Sequence, residues 1–266
     1  MDITTILGII LGLAALIGGY VWDGGHVSAL FVPSALLIVL GGTAGAVVVS
    51  FPLSKLKELP AALTMAFKEP KRDPHIIIEE LVDMATVARR EGVLALEQRA
   101  QEHANPFLKE GLMMVVDGTD PELTRQILEL EMEALEHNHE AQAKIFEAAG
   151  GYSPTMGIIG TVMGLIHVLG NLSNPDTLGP AIAVAFTATL YGVGLANVVF
   201  LPLGNKVKGR GKEQISEMEL MLEGILALQA GENPQLIKKK LSSFLHQKHS
   251  NKNKTEEAGA ANGEEV

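Results

Sequence analysis

The stretch that decides the fold is "GGYSPTMGIIGTVMGLIHVLGNL", which runs from Gly150 to Leu172. It contains no Asp, Glu, Lys or Arg, and it is longer than the roughly 20 residues that an α-helix needs to cross the hydrocarbon core of a bilayer. It also contains a proline, two threonines, a histidine and six glycines, which lipid contact alone does not require. The stretch therefore predicts a transmembrane helix whose residues serve more than lipid contact.

The composition of the chain agrees with a membrane protein that has large parts outside the bilayer. Of its 266 residues, 47% are hydrophobic and 20% are charged, which is too apolar for an ordinary soluble domain and too charged for a wholly embedded one. The formal net charge of −10 argues against a nucleic-acid-binding protein, which normally presents a basic face. The absence of cysteine excludes disulfides and thiolate chemistry.

Charge-free windows predict four transmembrane helices. They are Ile3–Trp22, Gly24–Ser54, Ala148–Pro175 and Thr177–Asn205. Each is long enough to cross a bilayer as a helix. The first is not predicted to be a cleavable signal peptide, because no basic region precedes it and a second apolar window follows almost at once.

The positive charges predict the orientation of the chain. All 21 Lys and Arg residues lie between Lys55 and Lys144 or between Lys206 and Lys254, and the short connections around Asp23 and Asp176 contain none. By the positive-inside bias, both basic segments are cytoplasmic. We therefore expect the N- and C-termini in the cytoplasm and the two short loops outside.

The predicted fold is an all-α polytopic membrane protein with four transmembrane helices and a large helical cytoplasmic domain. The predicted parts are 1–54 with the first two spans, 55–147 as the cytoplasmic domain, 148–205 with the last two spans, 206–245 as cytoplasmic C-terminal helices, and 246–266 as a disordered tail. Within 206–245 the amphipathic segments are Glu213–Leu228 and Pro234–Leu245.

The cytoplasmic domain has the apolar spacing of helices, with prolines marking the breaks. These prolines are Pro60, Pro70, Pro74 and Pro106. Asp120 and Pro121 fit the N-cap and the first position of a long helix. Since no helix breaker follows before Gly150, we expect this helix to continue into the third span as a stalk.

Small residues predict close packing of the spans. The pairs Gly8–Gly12, Gly41–Gly45 and Gly160–Gly164 each place two glycines on one helix face, which lets helix backbones approach closely.

No motif for catalysis or metal binding is present, so neither an enzymatic activity nor a metal site is predicted. His137 and His139 are two residues apart, whereas a helical zinc site needs a spacing of four. The four charge-free windows also lack any carboxylate that could bind a cation inside the membrane.

Thr161 and Thr189 are candidates for an ion pathway. If the last two spans form a hairpin around Asn174–Pro175, both threonines lie about 20 Å below the outer loop. Two hydroxyls at one depth could offer oxygen ligands to a cation, although membrane threonines also bond to the backbone of their own helix. His167 is ionisable and lies in a span, so it is either functional or interfacial.

The motifs "YSPTMGIIGTVMGLI", "LGPAIAVAFTATLYGVGLANVVFLPL" and "ARREGVLALE" carry a family resemblance. The chain resembles the flagellar stator subunits MotA, PomA and MotP over nearly its whole length, apart from the C-terminal tail. The resemblance implies a subunit of the bacterial inner membrane that converts cation flow into rotation of the flagellar rotor. It needs no cofactor beyond the transported Na⁺ or H⁺.

The resemblance also implies partners. Five copies surround two single-span subunits of the MotB or PomB type, which supply the aspartate that binds the ion. Pro154 and Pro202 match functional prolines at the start of the third span and the end of the fourth, and Thr189 matches the threonine near that aspartate.

Arg89 and Glu97 match the charged residues that meet the rotor protein FliG, and Arg90 is a neighbouring candidate. On a single helix, Arg89 and Glu97 would be about 12 Å apart and on roughly the same side.

The identity of the cation is left open. Thr161 stands where sodium-type relatives carry threonine, and Na⁺ needs oxygen ligands to replace its hydration shell. Ala188, however, stands where those relatives often have a second threonine, and a hydroxyl does not obstruct protons. We favour Na⁺ over H⁺.

There are three alternatives, the first from the same superfamily and the other two from different classes of protein. An energiser of the ExbB or TolQ type has three spans and an outward N-terminus, which the charge distribution disfavours. A membrane scaffold without ion flux would leave the paired threonines incidental. An intramembrane enzyme would need a catalytic group that the motifs do not provide.

Overall fold

The computed structural model describes residues 2–68, 73–170 and 175–245, which form helices joined by turns. The α-helices of these residues are α1 (Ile3–Trp22), α2 (Pro33–Leu36), α3 (Gly42–Ser50), α4 (Leu53–Leu56), α5 (Leu59–Phe67), α6 (Pro74–Glu91), α7 (Glu97–Gln101), α8 (Pro106–Val116), α9 (Pro121–Gly170), α10 (Pro175–Leu195), α11 (Leu201–Gln229) and α12 (234–245). A π-turn at Leu37–Gly41 joins α2 to α3, and another at Ala196–Phe200 joins α10 to α11. The all-α prediction is confirmed.

Among the residues that the structure describes, four helical segments are long and apolar enough to cross a membrane. They are Ile3–Trp22, Val27–Ser50, Pro121–Gly170 and Leu178–Gln229. This confirms the four spans predicted from the charge-free windows.

The stalk prediction is also confirmed. The carboxylate of Asp120 accepts hydrogen bonds from the backbone N–H groups of Glu122 and Leu123, at 2.9 and 3.3 Å, and so caps the first turn of α9. The helix then continues without a break to Gly170, with Pro154 in its interior. Pro60, Pro74 and Pro106 lie in the first turns of α5, α6 and α8, as expected, whereas Pro70 lies outside the described residues.

Two predicted helix boundaries are wrong. The helix after the fourth span does not begin at Glu213, because α11 already starts at Leu201 and contains no proline after its first turn. The segment around Arg89 and Glu97 is not one helix. Gly92 adopts φ +86°, a left-handed conformation that glycine tolerates, and it ends α6. The helix predicted at Pro234–Leu245 is present, and the predicted disordered tail lies outside the described residues.

The chain divides into two compact units. The first contains Met1–Glu69 and His137–Gly211, and the second contains Pro70–Glu136 and Lys212–Val266. In the second unit, α6, α8 and the later part of α11 surround one apolar core. Its fully buried members include Leu81, Leu96, Leu112, Leu128, Ile225 and Leu241. The first unit has three smaller apolar clusters and contains the charge-free windows of the sequence.

Candidate functional site

In the first unit, α9 and α10 approach each other until their backbones touch. A Cβ atom on Gly157 would lie 2.9 Å from the carbonyl oxygen of Ala188, and one on Gly192 would lie 2.6 Å from that of Ser153. Atoms of real side chains do not approach so closely, so both positions require glycine. These glycines explain part of the unusual composition of the third span.

The glycine pairs differ in what they contact. Cβ atoms on Gly160 and Gly164 would lie 2.6 and 2.7 Å from the Cβ atoms of Ala188 and Ala185, so this pair packs against α10 as predicted. Gly8 and Gly45, by contrast, have open space around the same position within the chain. Gly12 is an intermediate case, since a Cβ there would lie 3.0 Å from Val198 Cγ1, so Gly160–Gly164 is the predicted pair in which both positions are tightly packed.

This close contact brings the predicted threonines together. The hydroxyls of Thr161 on α9 and Thr189 on α10 are hydrogen-bonded to each other, and both side chains are half-buried. The Thr161 hydroxyl also lies 2.9 Å from the carbonyl oxygen of Ala185 and 3.2 Å from that of Gly157. Two hydroxyls and two carbonyls thus form an oxygen cluster in an apolar bundle, a donor set that suits a small cation.

The Thr161 hydroxyl therefore has acceptors on two helices. Its hydroxyl reaches a carbonyl of its own helix, as membrane threonines often do, and it also reaches the neighbouring helix. Since a hydroxyl has one proton, it can donate to only one of these acceptors at a time. The role of the pair in ion passage stays a prediction.

One of the two predicted prolines lies inside a long helix, and the other lies at the start of one. Pro154 is half-buried inside α9, and its ring nitrogen cannot donate to the carbonyl of Gly150 one turn earlier. Pro202 is exposed in the first turn of α11, directly after the π-turn Ala196–Phe200. Both positions leave a backbone carbonyl without its usual partner inside the helix. His167 is exposed in the last turn of α9.

A cluster of charges surrounds Asp2, and it was not predicted from the sequence. The Asp2 carboxylate is 2.6 Å from Lys206 Nζ and 2.6 Å from the Arg210 guanidinium, and the whole residue is 4% exposed. It also accepts hydrogen bonds from the N–H and the hydroxyl of Thr4, and in this way Asp2 caps the N-terminus of α1. Lys206, the Thr4 bonds and Arg210 hold the pKa of Asp2 well below its usual range, against the opposing effect of burial.

The hydrogen bonds of Tyr191 were not predicted from the sequence either. The hydroxyl of Tyr191 on α10 accepts a hydrogen bond from the N–H of Val32 at 3.2 Å and donates one to the carbonyl of Leu30. A single tyrosine in an apolar helix gives no sequence signal for so distant a contact.

The predicted rotor-contacting residues belong to the second unit. Arg89 and Arg90 are exposed in the last turn of α6, and Glu97 is exposed at the start of α7. Because Gly92 separates them, the 12 Å spacing along one helix does not apply. α6 and α7 are instead joined by the ion pair of Asp83 and Arg99, at 2.5 Å.

Nothing in the described part of the chain forms a group of three or more His, Asp or Glu side chains that could hold a metal ion. His137 is exposed, whereas His139 is buried, and a Cβ atom on Gly211 would lie 2.8 Å from the Cβ of His139.

The fold and the candidate site define a polytopic helical membrane protein with an oxygen cluster inside its span bundle. Residues 6–92 match the family model "Motility protein A N-terminal", and residues 99–220 match "MotA/TolQ/ExbB proton channel family". The chain is 43% identical to Motility protein A of Bacillus subtilis over 99% of this chain and 98% of that one. It is 35% identical to Chemotaxis protein PomA of Vibrio alginolyticus over 93% and 96%.

The fold of the chain also matches that of a solved structure. The fold matches the flagellar MotAB stator complex from Bacillus subtilis with a TM-score of 0.87 and 42% identity, over 94% of this chain and 99% of that one. The chain therefore belongs to the motility protein A family, within the MotA/TolQ/ExbB proton channel family. The resemblance seen in the sequence is confirmed, and the match to the motility N-terminal model favours the motor branch over the energisers.

Proposed function

We propose that this chain is the ion-channel subunit of a flagellar stator, which converts the flow of Na⁺ or H⁺ across the membrane into rotation of the rotor. The observation that carries the proposal is the contact between the Thr161 and Thr189 hydroxyls across α9 and α10. Each elementary charge that moves through a potential of 100 mV releases about 2.3 kcal/mol, which is the energy source for the motion.

The ion-binding carboxylate comes from a partner in this proposal. No Asp or Glu lies in the four charge-free windows, so the threonine cluster alone offers only neutral oxygens. A single-span subunit of the MotB or PomB type would supply the aspartate, and the relative solved from Bacillus subtilis is a MotAB complex. The assembly has five copies of this chain and two partners. It lies in the bacterial inner membrane, with both termini of this chain in the cytoplasm.

Pro154 and Pro202 are proposed to permit movement with each ion. A proline removes one helical hydrogen bond, so the helix bends there at a lower cost than elsewhere. Both prolines lie on the helices that carry or follow the threonines. Arg89, Arg90 and Glu97 are proposed to contact FliG, because all three are exposed and therefore free to meet a charged surface.

Replacing Thr189 by isoleucine is expected to stop rotation without removing the chain from the membrane. The change deletes the hydroxyl that contacts Thr161 and puts an apolar branch in its place. The measurement is rotation of tethered cells of a stator-less strain supplied with this chain and its cognate partner. Thr155→Val is the matched control, because the Thr155 hydroxyl donates to the Tyr152 carbonyl of its own helix rather than to α10. Wild-type speed in Thr189→Ile would contradict the ion path.

The same cells identify the cation. If Na⁺ is carried, wild-type rotation stops in sodium-free, potassium-balanced medium, and Thr161→Ala slows rotation at limiting Na⁺. Undiminished rotation without sodium, together with an unchanged Thr161→Ala variant, would contradict the assignment of the pathway to Na⁺.

Charge reversal tests the rotor contact. Arg89→Glu or Glu97→Lys is expected to lower the torque several-fold, since an attractive pair becomes repulsive. A compensating reversal on the rotor should restore part of the torque. Glu133→Lys, a reversal at another exposed position of the same unit, serves as the control and should leave torque unchanged. If the double variant Arg89→Glu/Glu97→Lys runs normally on an unaltered rotor, the contact lies elsewhere.

A further inference from the structure

Tyr191 lies close to the threonine pair but on another side of the helix. It follows Thr189 by two positions, which corresponds to about 3 Å along the helix axis and a rotation of about 200°. Thr189 contacts α9, whereas Tyr191 contacts the start of the second span. The tyrosine therefore does not join the oxygen cluster, and any effect it has must act through the helix.

The Tyr191 hydroxyl replaces helical hydrogen bonds at a place where the backbone is irregular. Leu30 ends a 3-10 turn, Val32 is extended with φ −120°, and Pro33 has no N–H to donate. The hydroxyl bonds both the Leu30 carbonyl and the Val32 N–H. Unsatisfied backbone groups are costly inside a membrane-spanning segment, so this one side chain stabilises the start of the second span.

A continuous packing contact links this anchored segment to the threonines. Val39 of the second span and Ala188 of α10 are both fully buried in one apolar cluster, which Tyr191 also contacts. Ala188 in turn packs against Gly160, the residue before Thr161, where a Cβ would be 2.6 Å from the Ala188 Cβ. The second span thus packs against the face of α10 that carries Ala188 and Tyr191, and its Ile38 also reaches Gly160, where a Cβ would be 3.5 Å from Ile38 Cγ2.

We propose that Tyr191 is a positioning residue for the ion pathway. By fixing the outer end of the second span to α10, it keeps Ala188 pressed against Gly160 and the Thr161 and Thr189 hydroxyls in contact. The anchoring follows from the hydrogen bonds alone, whereas the effect on cation binding rests on the proposed function.

Tyr191→Phe tests both the anchoring of the second span and its effect on cation binding, because the change keeps the ring and removes only the hydroxyl. Amide hydrogen exchange of the purified stator complex in nanodiscs should become roughly five- to tenfold faster at Val32, as expected for the loss of one stabilising hydrogen bond. In cells, the external cation concentration that gives half-maximal speed should rise about two- to fivefold, with the amount of chain in the membrane unchanged. The wild-type chain should show a Val32 amide that is protected from exchange.

Tyr152→Phe is the matched control. Its hydroxyl contacts Ser50 Oγ at 2.8 Å and also joins the second and third spans, but it lies away from the threonine pair. This variant should change neither the exchange at Val32 nor the cation dependence.

The outcomes separate the two parts of the proposal. Unchanged exchange at Val32 in Tyr191→Phe, or rapid exchange there in the wild type, would overturn the anchor. Faster exchange with an unchanged cation dependence would leave Tyr191 with a purely structural role and overturn the positioning. The wild-type complex could also fail to rotate with any cation supplied while its Val32 amide is protected from exchange. In that case the proposed function is contradicted and the anchor is supported.

Discussion

Gly192→Val is expected to abolish motor rotation and to destabilise the chain strongly. The added Cβ would lie 2.6 Å from the carbonyl oxygen of Ser153 and 3.0 Å from the Cα of Gly157, and neither backbone atom can rotate away. The third and fourth spans must therefore separate, which breaks the contact between the Thr161 and Thr189 hydroxyls. We expect a loss of about 3 kcal/mol in the free energy of unfolding, the upper end of the usual range for overpacked sites.

A graded series of glycine variants provides the controls. Gly160→Ala places its methyl against the side chain of Ala188 rather than against backbone, so a smaller loss is expected. Gly8→Ala meets no atom of the described residues within 4 Å and should behave as the wild type. The measurements are thermal unfolding of the purified complex and rotation of tethered cells. A Gly192→Val complex as stable as the Gly8→Ala complex would show that the close approach of the two spans is not needed.

Much of the fold followed from the sequence because lipid imposes simple rules. Long windows without charges predict spans, and their number agrees with the four candidate spans of the described residues. The common depth of Thr161 and Thr189 could also be predicted, since they lie at nearly equal distances along the chain from the turn predicted around Asn174–Pro175. The family resemblance then pointed to the same two residues.

Other features could not be predicted, for identifiable physical reasons. The apolar spacing of α6 continues beyond Gly92, and a glycine inside a helix costs only about 1 kcal/mol, so the sequence alone does not distinguish a helix end from a tolerated glycine. The observed φ of +86° decides it. The contacts of Tyr191 with Leu30 and Val32 join residues that are far apart in sequence, and no local pattern reports them.

The Asp2 cluster was missed for a similar reason, although its members carry a usable signal. Asp2 stands just before the first span, and Lys206 and Arg210 stand just after the charge-free part of the fourth. If both ends face the cytoplasm, opposite charges meet at one membrane surface. Lys206 and Arg210 are also one turn apart on α11, so both side chains can reach the same carboxylate.

Asp2→Asn is therefore expected to destabilise the chain by about 3 kcal/mol, the scale for removing one partner of a buried ion pair. The amide keeps the size of the side chain and can still cap Thr4, but it leaves Lys206 and Arg210 close together without their shared carboxylate. Asp23→Asn, an exposed change at the other end of α1, is the matched control and should have almost no effect.

The pH dependence of this difference provides a second check. Because the folded protein holds the pKa of Asp2 below the ordinary carboxyl value of 3.8, the ionised carboxylate stabilises the fold at every pH above that value. The stability difference between wild type and Asp2→Asn should thus be constant from pH 8 to about pH 5 and should shrink only below about pH 4. Thermal unfolding of both purified complexes across this range measures it. A difference that disappears at neutral pH would mean that the carboxylate does not hold the first span to α11.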